Sequence, residues 1–141
     1  MKQVFDLGAS LDDMPFVRAI AVAGGRTIYC SGVTALPLVH KHPHDEAELR
    51  PPEDIGDQTR VCLENLRRVL EAAGATFADV VKVTIFNTEI DRQDDVNRVY
   101  REFFGEHRPA RSHVGVSRLV SPRLKIEIEA IAVVTDDRRR G

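Results

Sequence analysis

Apolar and polar residues alternate with period two toward the end of the chain. From Leu124 onward, Leu124, Ile126, Ile128, Ala130, Ala132 and Val134 share one face. Lys125, Glu127 and Glu129 begin the opposite face, which then turns apolar at Ile131 and Val133. Such alternation predicts a strand with one buried side. The segment before it behaves the same way. Arg111, His113, Gly115 and Ser117 fall on one face, and Ala110, Ser112, Val114 and Val116 on the other. If these two strands lie side by side as a hairpin, a guanidinium, an imidazole and a carboxylate meet on one sheet surface. That surface, carrying Arg111 and Glu127, is the first candidate for function.

Residues 2–7 and 18–23 have the pattern of short strands. Gly24 and Gly25 then supply a turn before a third strand over 26–31. Residues 33–54 show no periodicity and contain four prolines and three histidines (Pro37, Pro43, Pro51, Pro52; His40, His42, His44), which predicts a long loop. Cys62, Leu66, Val69, Leu70 and Ala73 recur at helical spacing and predict a helix over 57–73, stopped by Gly74. Residues 79–88, rich in β-branched side chains, predict a strand. A second helix over about 91–104 carries Val96, Val99, Tyr100, Phe103 and Phe104 on its apolar face.

The order β-β-β-α-β-α-β-β predicts an α+β domain over residues 1–141, with a mixed β-sheet covered by two helices on one face. The other face carries too much Val, Ile, Thr and Ala to meet water alone. Oligomerisation follows as an expectation, with a site between subunits.

Composition narrows the partners. The 141 residues are 43% hydrophobic and 30% charged, which excludes a disordered chain. A net charge of −2 gives no field to attract nucleic acid or an anionic membrane. No apolar stretch is long enough to span a bilayer and no signal pattern opens the chain, so a cytoplasmic protein is expected. The two cysteines, Cys30 and Cys62, form no disulfide framework or metal spacing and read as structural thiols. Residues 136–141 are expected to be a frayed, solvated tail.

His40, His42 and His44 form an H-x-H-x-H series that could bring three imidazoles to one side of an extended segment. Zinc and nickel favour imidazole. The segment is proline-rich and has no fourth-ligand pattern, so a solvated loop is expected and no metal site is assigned.

Several segments together carry a resemblance. They are Tyr29-Cys30-Ser31-Gly32, the helix-and-strand run QTRVCLENLRRVLEAAGATFADVVKVTIF, and then VNRVYREFF, RPARS and KIEIEAIA. In this order and spacing the chain resembles the RidA/YjgF family of reactive-intermediate deaminases across nearly its whole length. The resemblance implies a chorismate-mutase-like fold, assembled as a homotrimer around a central barrel with clefts at the subunit interfaces. It implies cofactor-free hydrolysis of small imines or enamines bearing a carboxylate, giving 2-oxo acids and ammonia. Arg111 matches the family's carboxylate-binding arginine, and Glu127 its water-directing glutamate. Ser31, Gly32 and Asn97 match positions near the family's cleft.

The chemistry implied is physically coherent. A planar guanidinium grips a carboxylate through two parallel hydrogen bonds and orients the C=N carbon toward a water. A carboxylate beside that water accepts its proton.

Two residues depart from the family pattern. Phe16 stands where many active members carry a tyrosine, and His113 where a cysteine is common. Histidine can shuttle a proton near neutral pH, so His113 is a candidate catalytic residue and Phe16 a candidate substrate contact. The departures suggest a pathway-specific deaminase. The competing expectation is a binding or regulatory protein that keeps the cleft without hydrolysis. RNA cleavage, associated with some relatives, is disfavoured by the charge and by the lack of a basic-aromatic patch.

Overall fold

The computed structural model describes residues 1–45, 47 and 49–135. The tail expected to fray, 136–141, lies outside the described residues. Strands β1 (Lys2–Phe5) and β2 (Ala19–Val22) pair antiparallel as a separate two-stranded ribbon. The main sheet contains β3 (Arg26–Val33), β4 (Val80–Asn87), β5 (Ala110–Gly115) and β6 (Ile126–Val134), in the order β3-β6-β4-β5. The glycine turn forms as expected, with positive φ at both Gly24 and Gly25. It does not join β2 to β3 in one sheet, because β3 takes its backbone partners from β6.

The expected hairpin between β5 and β6 does not exist. β4 lies between them, antiparallel to β6 and parallel to β5. Burial explains the order. β6 is buried at most positions and belongs at the centre, where both of its edges are hydrogen-bonded. β5 has no fully buried residue and takes the edge.

Helix α1 runs over Ile55–Ala72 and α2 over Gln93–Phe104. The Asp54 carboxylate caps α1 by accepting from the Asp57 amide at 3.0 Å, so the helix starts two residues before the expected boundary. Gly74, at φ +78°, follows its last turn. Ile55, Cys62, Leu63, Leu66 and Leu70 of α1 and Val96, Val99, Tyr100 and Phe104 of α2 pack in one core with Val83, Ile85, Ile126, Ile128, Ala130 and Ala132 of the sheet. Both helices therefore cover one face, as the periodicity predicted. No helix among the described residues is long and apolar enough to cross a membrane.

Buried polar side chains tie the long loop to this core. Gln58, fully buried, donates to the carbonyls of Pro52 and Arg123 at 2.8 Å each and accepts from the Lys125 amide at 2.9 Å. Asn65 donates to the carbonyls of Thr34 and Leu36 at 3.0 and 2.8 Å. Ala35, Leu36 and Leu49 form a small second core with Leu124.

Candidate functional site

The β-sheet register separates the charges that the sequence placed together. Arg111 lies opposite Val83, and Val83 lies opposite Ala130, so Arg111 points to the helix-covered side. His113, opposite Ile85, shares that side. Glu127 lies opposite Phe86, one residue out of phase, and points to the uncovered side. Directly paired residues share a face and neighbours alternate. Within one chain, Arg111 and Glu127 are on opposite faces of the sheet.

Arg111 sits in a cleft of about 500 Å³ between the start of α2 and the loop before β2. Phe16, Asn97, Arg98 and Arg101 line it with Arg111. The guanidinium carbon lies 4.7 Å from the Tyr100 ring centroid and 5.1 Å from that of Phe16, stacked between two aromatic faces. Its Nε and Nη1 are buried and have no hydrogen-bond partner among the described residues. Burial, with Arg101 nearby, holds its pKa below the usual arginine value. Buried donors without acceptors are costly. A bound anion with two acceptor oxygens would satisfy them.

Among the described residues, Asn97 Oδ1, the Tyr100 hydroxyl oxygen and His113 Nδ1 are also buried without a hydrogen-bond partner. The tautomer of His113 follows from its neighbour. Asn87 Oδ1 accepts from the Glu89 amide at 2.7 Å, which orients Asn87 Nδ2 toward His113 Nε2 at 3.1 Å. Nε2 is therefore the acceptor, and the proton resides on Nδ1. Burial, aided by the Arg111 charge, lowers the His113 pKa to about 4. At physiological pH the ring is therefore neutral, with Nδ1–H as its donor.

On the opposite face, the Glu127 carboxylate lies against Gly32, where an added Cβ would come within 2.8 Å of its Oε2. Ser31 and Gly32 are exposed beside it, in the stretch where the β3–β6 register shifts. Burial, and then the charge of Glu129, raise the Glu127 pKa above the usual carboxylate range. The sequence-derived residues thus fall into two groups. Phe16, Asn97, Arg111 and His113 lie on the helix side, and Ser31, Gly32 and Glu127 on the open side.

Sequence reasoning missed Asn87 and Tyr100 as site residues. Asn87 falls within the strand expected over 79–88, and Tyr100 on the apolar face of the second helix. A tyrosine in such a stripe still carries a hydroxyl that needs a partner, and that was the available signal.

The fold and cleft define a class: a small α+β protein with a buried arginine in a cleft beside the second helix. A family model described as Endoribonuclease L-PSP matches residues 10–134. The chain belongs to the RidA/YjgF family. It is 53% identical over 79 residues to RutC family protein PH0854 of Pyrococcus horikoshii, covering 56% of this chain and 62% of that protein. It is 46% identical over 85 residues to a 2-iminobutanoate/2-iminopropanoate deaminase of Escherichia coli K12, covering 58% of this chain and 66% of that enzyme. The matched stretches thus span less than two thirds of the length of these curated relatives. Its fold is similar to that of E. coli TdcF with bound serine, with a TM-score of 0.66 and 35% identity over 86% of this chain and 89% of that one.

Proposed function

We propose that the protein is a cofactor-free deaminase that hydrolyses a small carboxylate-bearing imine or enamine to a 2-oxo acid and ammonia. The observation that carries this reading is the buried Arg111 guanidinium, stacked between Phe16 and Tyr100, whose Nε and Nη1 have no hydrogen-bond partner among the described residues. Family membership and the similarity to a 2-iminobutanoate/2-iminopropanoate deaminase support the reaction type.

In this reading Arg111 holds the substrate carboxylate by paired charge-assisted hydrogen bonds. Asn97 and the Nδ1–H of His113 contact the polar atoms next to it. Water adds to the iminium carbon while Glu127 takes one of its protons. Glu127 returns that proton to the carbinolamine nitrogen, and the C–N bond then breaks to release ammonia as the hydroxyl proton passes to Glu127 and the C=O bond forms. The raised basicity of Glu127 suits this role. An iminium is already electrophilic, so modest assistance suffices.

Because Glu127 points to the face opposite Arg111, the reading needs a second copy of the chain to bring the open-side group against the helix-side group. The open face suits such burial, with Tyr29 at 78% exposure and the half-buried Ile131 on it. A homotrimer with clefts between subunits is the assembly we infer.

The deciding experiment is ammonia release from an imine generated in situ by an amino-acid oxidase. Accelerated release supports the reading, and a further loss of about 10²-fold in kcat/KM for Arg111→Ala assigns the anchor. No acceleration, combined with saturable carboxylate binding that Arg111→Ala abolishes, would favour a ligand-binding protein. That second reading draws on one observation, the neutral His113 where a shuttle was expected. The pathway-specific substrate that Phe16 and His113 suggest is part of the proposal.

A further inference from the structure

The loop over 33–54 brings its three histidines together. His40, His42 and His44 each present one ring nitrogen, and these three atoms lie within 4.8 Å of one another. Their ring centroids are 4.8 to 5.2 Å apart. We propose that these three imidazoles bind one divalent transition-metal ion of the imidazole-preferring class, such as Zn²⁺ or Ni²⁺. The proposal is independent of the deaminase reading, which uses none of these residues.

The donor chemistry is suitable. Neutral imidazole is the common nitrogen ligand for zinc and nickel. His40 Nδ1 lies 2.7 Å from the Pro37 carbonyl oxygen. A carbonyl only accepts, so Nδ1 carries the proton and Nε2 keeps its lone pair. A ligand histidine commonly donates its other ring N–H to a carbonyl in this way, which orients the ring. His42 is exposed and the other two are partly buried, so an ion reaches the cluster from solvent without disturbing the core.

The spacing requires only a small closure. Zinc binds imidazole nitrogen at about 2.0–2.1 Å, so tetrahedral ligands stand roughly 3.3 Å apart. From separations of at most 4.8 Å, the nitrogens converge by about 1.5 Å or less. Side-chain rotation and slight loop movement cover that distance. Three protein nitrogens leave a fourth tetrahedral position for water or another ligand.

The scaffold that the sequence did not reveal is supplied by packing on both sides of the cluster. Before it, Leu36 is buried, its carbonyl accepts from Asn65, and Leu38 packs against the main core. After it, Leu49 is buried and its carbonyl accepts from Arg123 Nη1 at 3.0 Å. The histidine segment is thus suspended between two anchored points. A metal ion there would clip the loop and stabilise the fold by mass action.

The test uses the untagged, chelator-stripped full chain, titrated with Zn²⁺ and separately with Ni²⁺ by calorimetry. One ion per chain is expected, with affinity weakened at least tenfold by His42→Ala or His44→Gln. Histidine NMR supplies a readout that needs no variant. Ring signals of His40, His42 and His44 should shift together on Zn²⁺ addition, while those of His107 and His113 stay in place. His107 is a suitable control because its Nε2 is already paired with the Val80 carbonyl. Absence of saturable binding overturns the proposal. So does binding that survives replacement of all three histidines by alanine or shifts only His107 or His113.

Discussion

Asn87 Nδ2 donates to His113 Nε2 at 3.1 Å, while Asn87 Oδ1 accepts from the Glu89 amide. One fully buried asparagine thereby sets the tautomer of a histidine on the neighbouring strand. It is a positioning residue: it directs the His113 N–H without lining the cleft. Asn87→Asp would replace that donor with an acceptor and draw a proton onto His113. The proposed deaminase should then show a new pH dependence of kcat/KM near neutrality, absent from the parent protein. An unchanged pH profile would show that the His113 tautomer does not matter to turnover.

The lowered His113 pKa also predicts how stability responds to acid. The unfolded chain protonates this ring near 6.5, but the folded chain only near 4. Between these values the unfolded state binds more protons, so stability is fully present above about 6.5 and falls as pH drops toward 4. Since the ring is partly exposed, roughly 1–2 kcal/mol is a suitable discounted magnitude. Urea unfolding at several pH values should give a shallower acid loss for His113→Gln than for the parent.

The Arg111 guanidinium is largely desolvated, which costs stability unless a partner offsets it. Two aromatic faces lie against the charge, and no carboxylate among the described residues pairs with it. Arg111→Met should therefore leave stability within about 1 kcal/mol of the parent, or raise it, while removing carboxylate binding. Arg111→Lys keeps the charge and loses the planar fork, so at least a tenfold loss of kcat/KM is expected. Thermal melts and steady-state kinetics check both outcomes.

Gly32 bears on Glu127. A Cβ at position 32 would meet the end of a flexible carboxylate and not the backbone. Gly32→Ala should thus cost under about 1 kcal/mol in stability, because Glu127 can swing aside. If Glu127 directs the water as proposed, kcat should still fall by about tenfold with little change in KM. Equal loss in KM alone would assign the glycine to substrate contact.

The opposite facing of Arg111 and Glu127 predicts complementation between copies. In the proposed trimer, Arg111→Ala and Glu127→Gln variants should each lose most activity. After mixed refolding, roughly a quarter of parent activity should return, the random-assortment value for a site fed by two chains. No recovery from demonstrably mixed oligomers would restrict each site to one chain.

The sequence alone was sufficient for each element taken singly. The apolar positions of α1 and α2 recur at helical spacing, and the alternation in β6 identifies its buried face, because side-chain direction within an element follows from backbone geometry. The segments from Tyr29 to Gly32 and through RPARS and KIEIEAIA sufficed for family membership. What neighbours what was decided only by the tertiary structure. Alternation sets the phase within a strand, but the phase between two strands depends on which strand lies between them and in what register. With β4 inserted, Arg111 and Glu127 part to opposite faces. Desolvation is likewise a property of packing, so neither the stacked Arg111 nor the neutral His113 could be read from their spacing. The histidine cluster follows the same logic, since anchoring by Asn65 and Arg123 comes from residues distant in the chain.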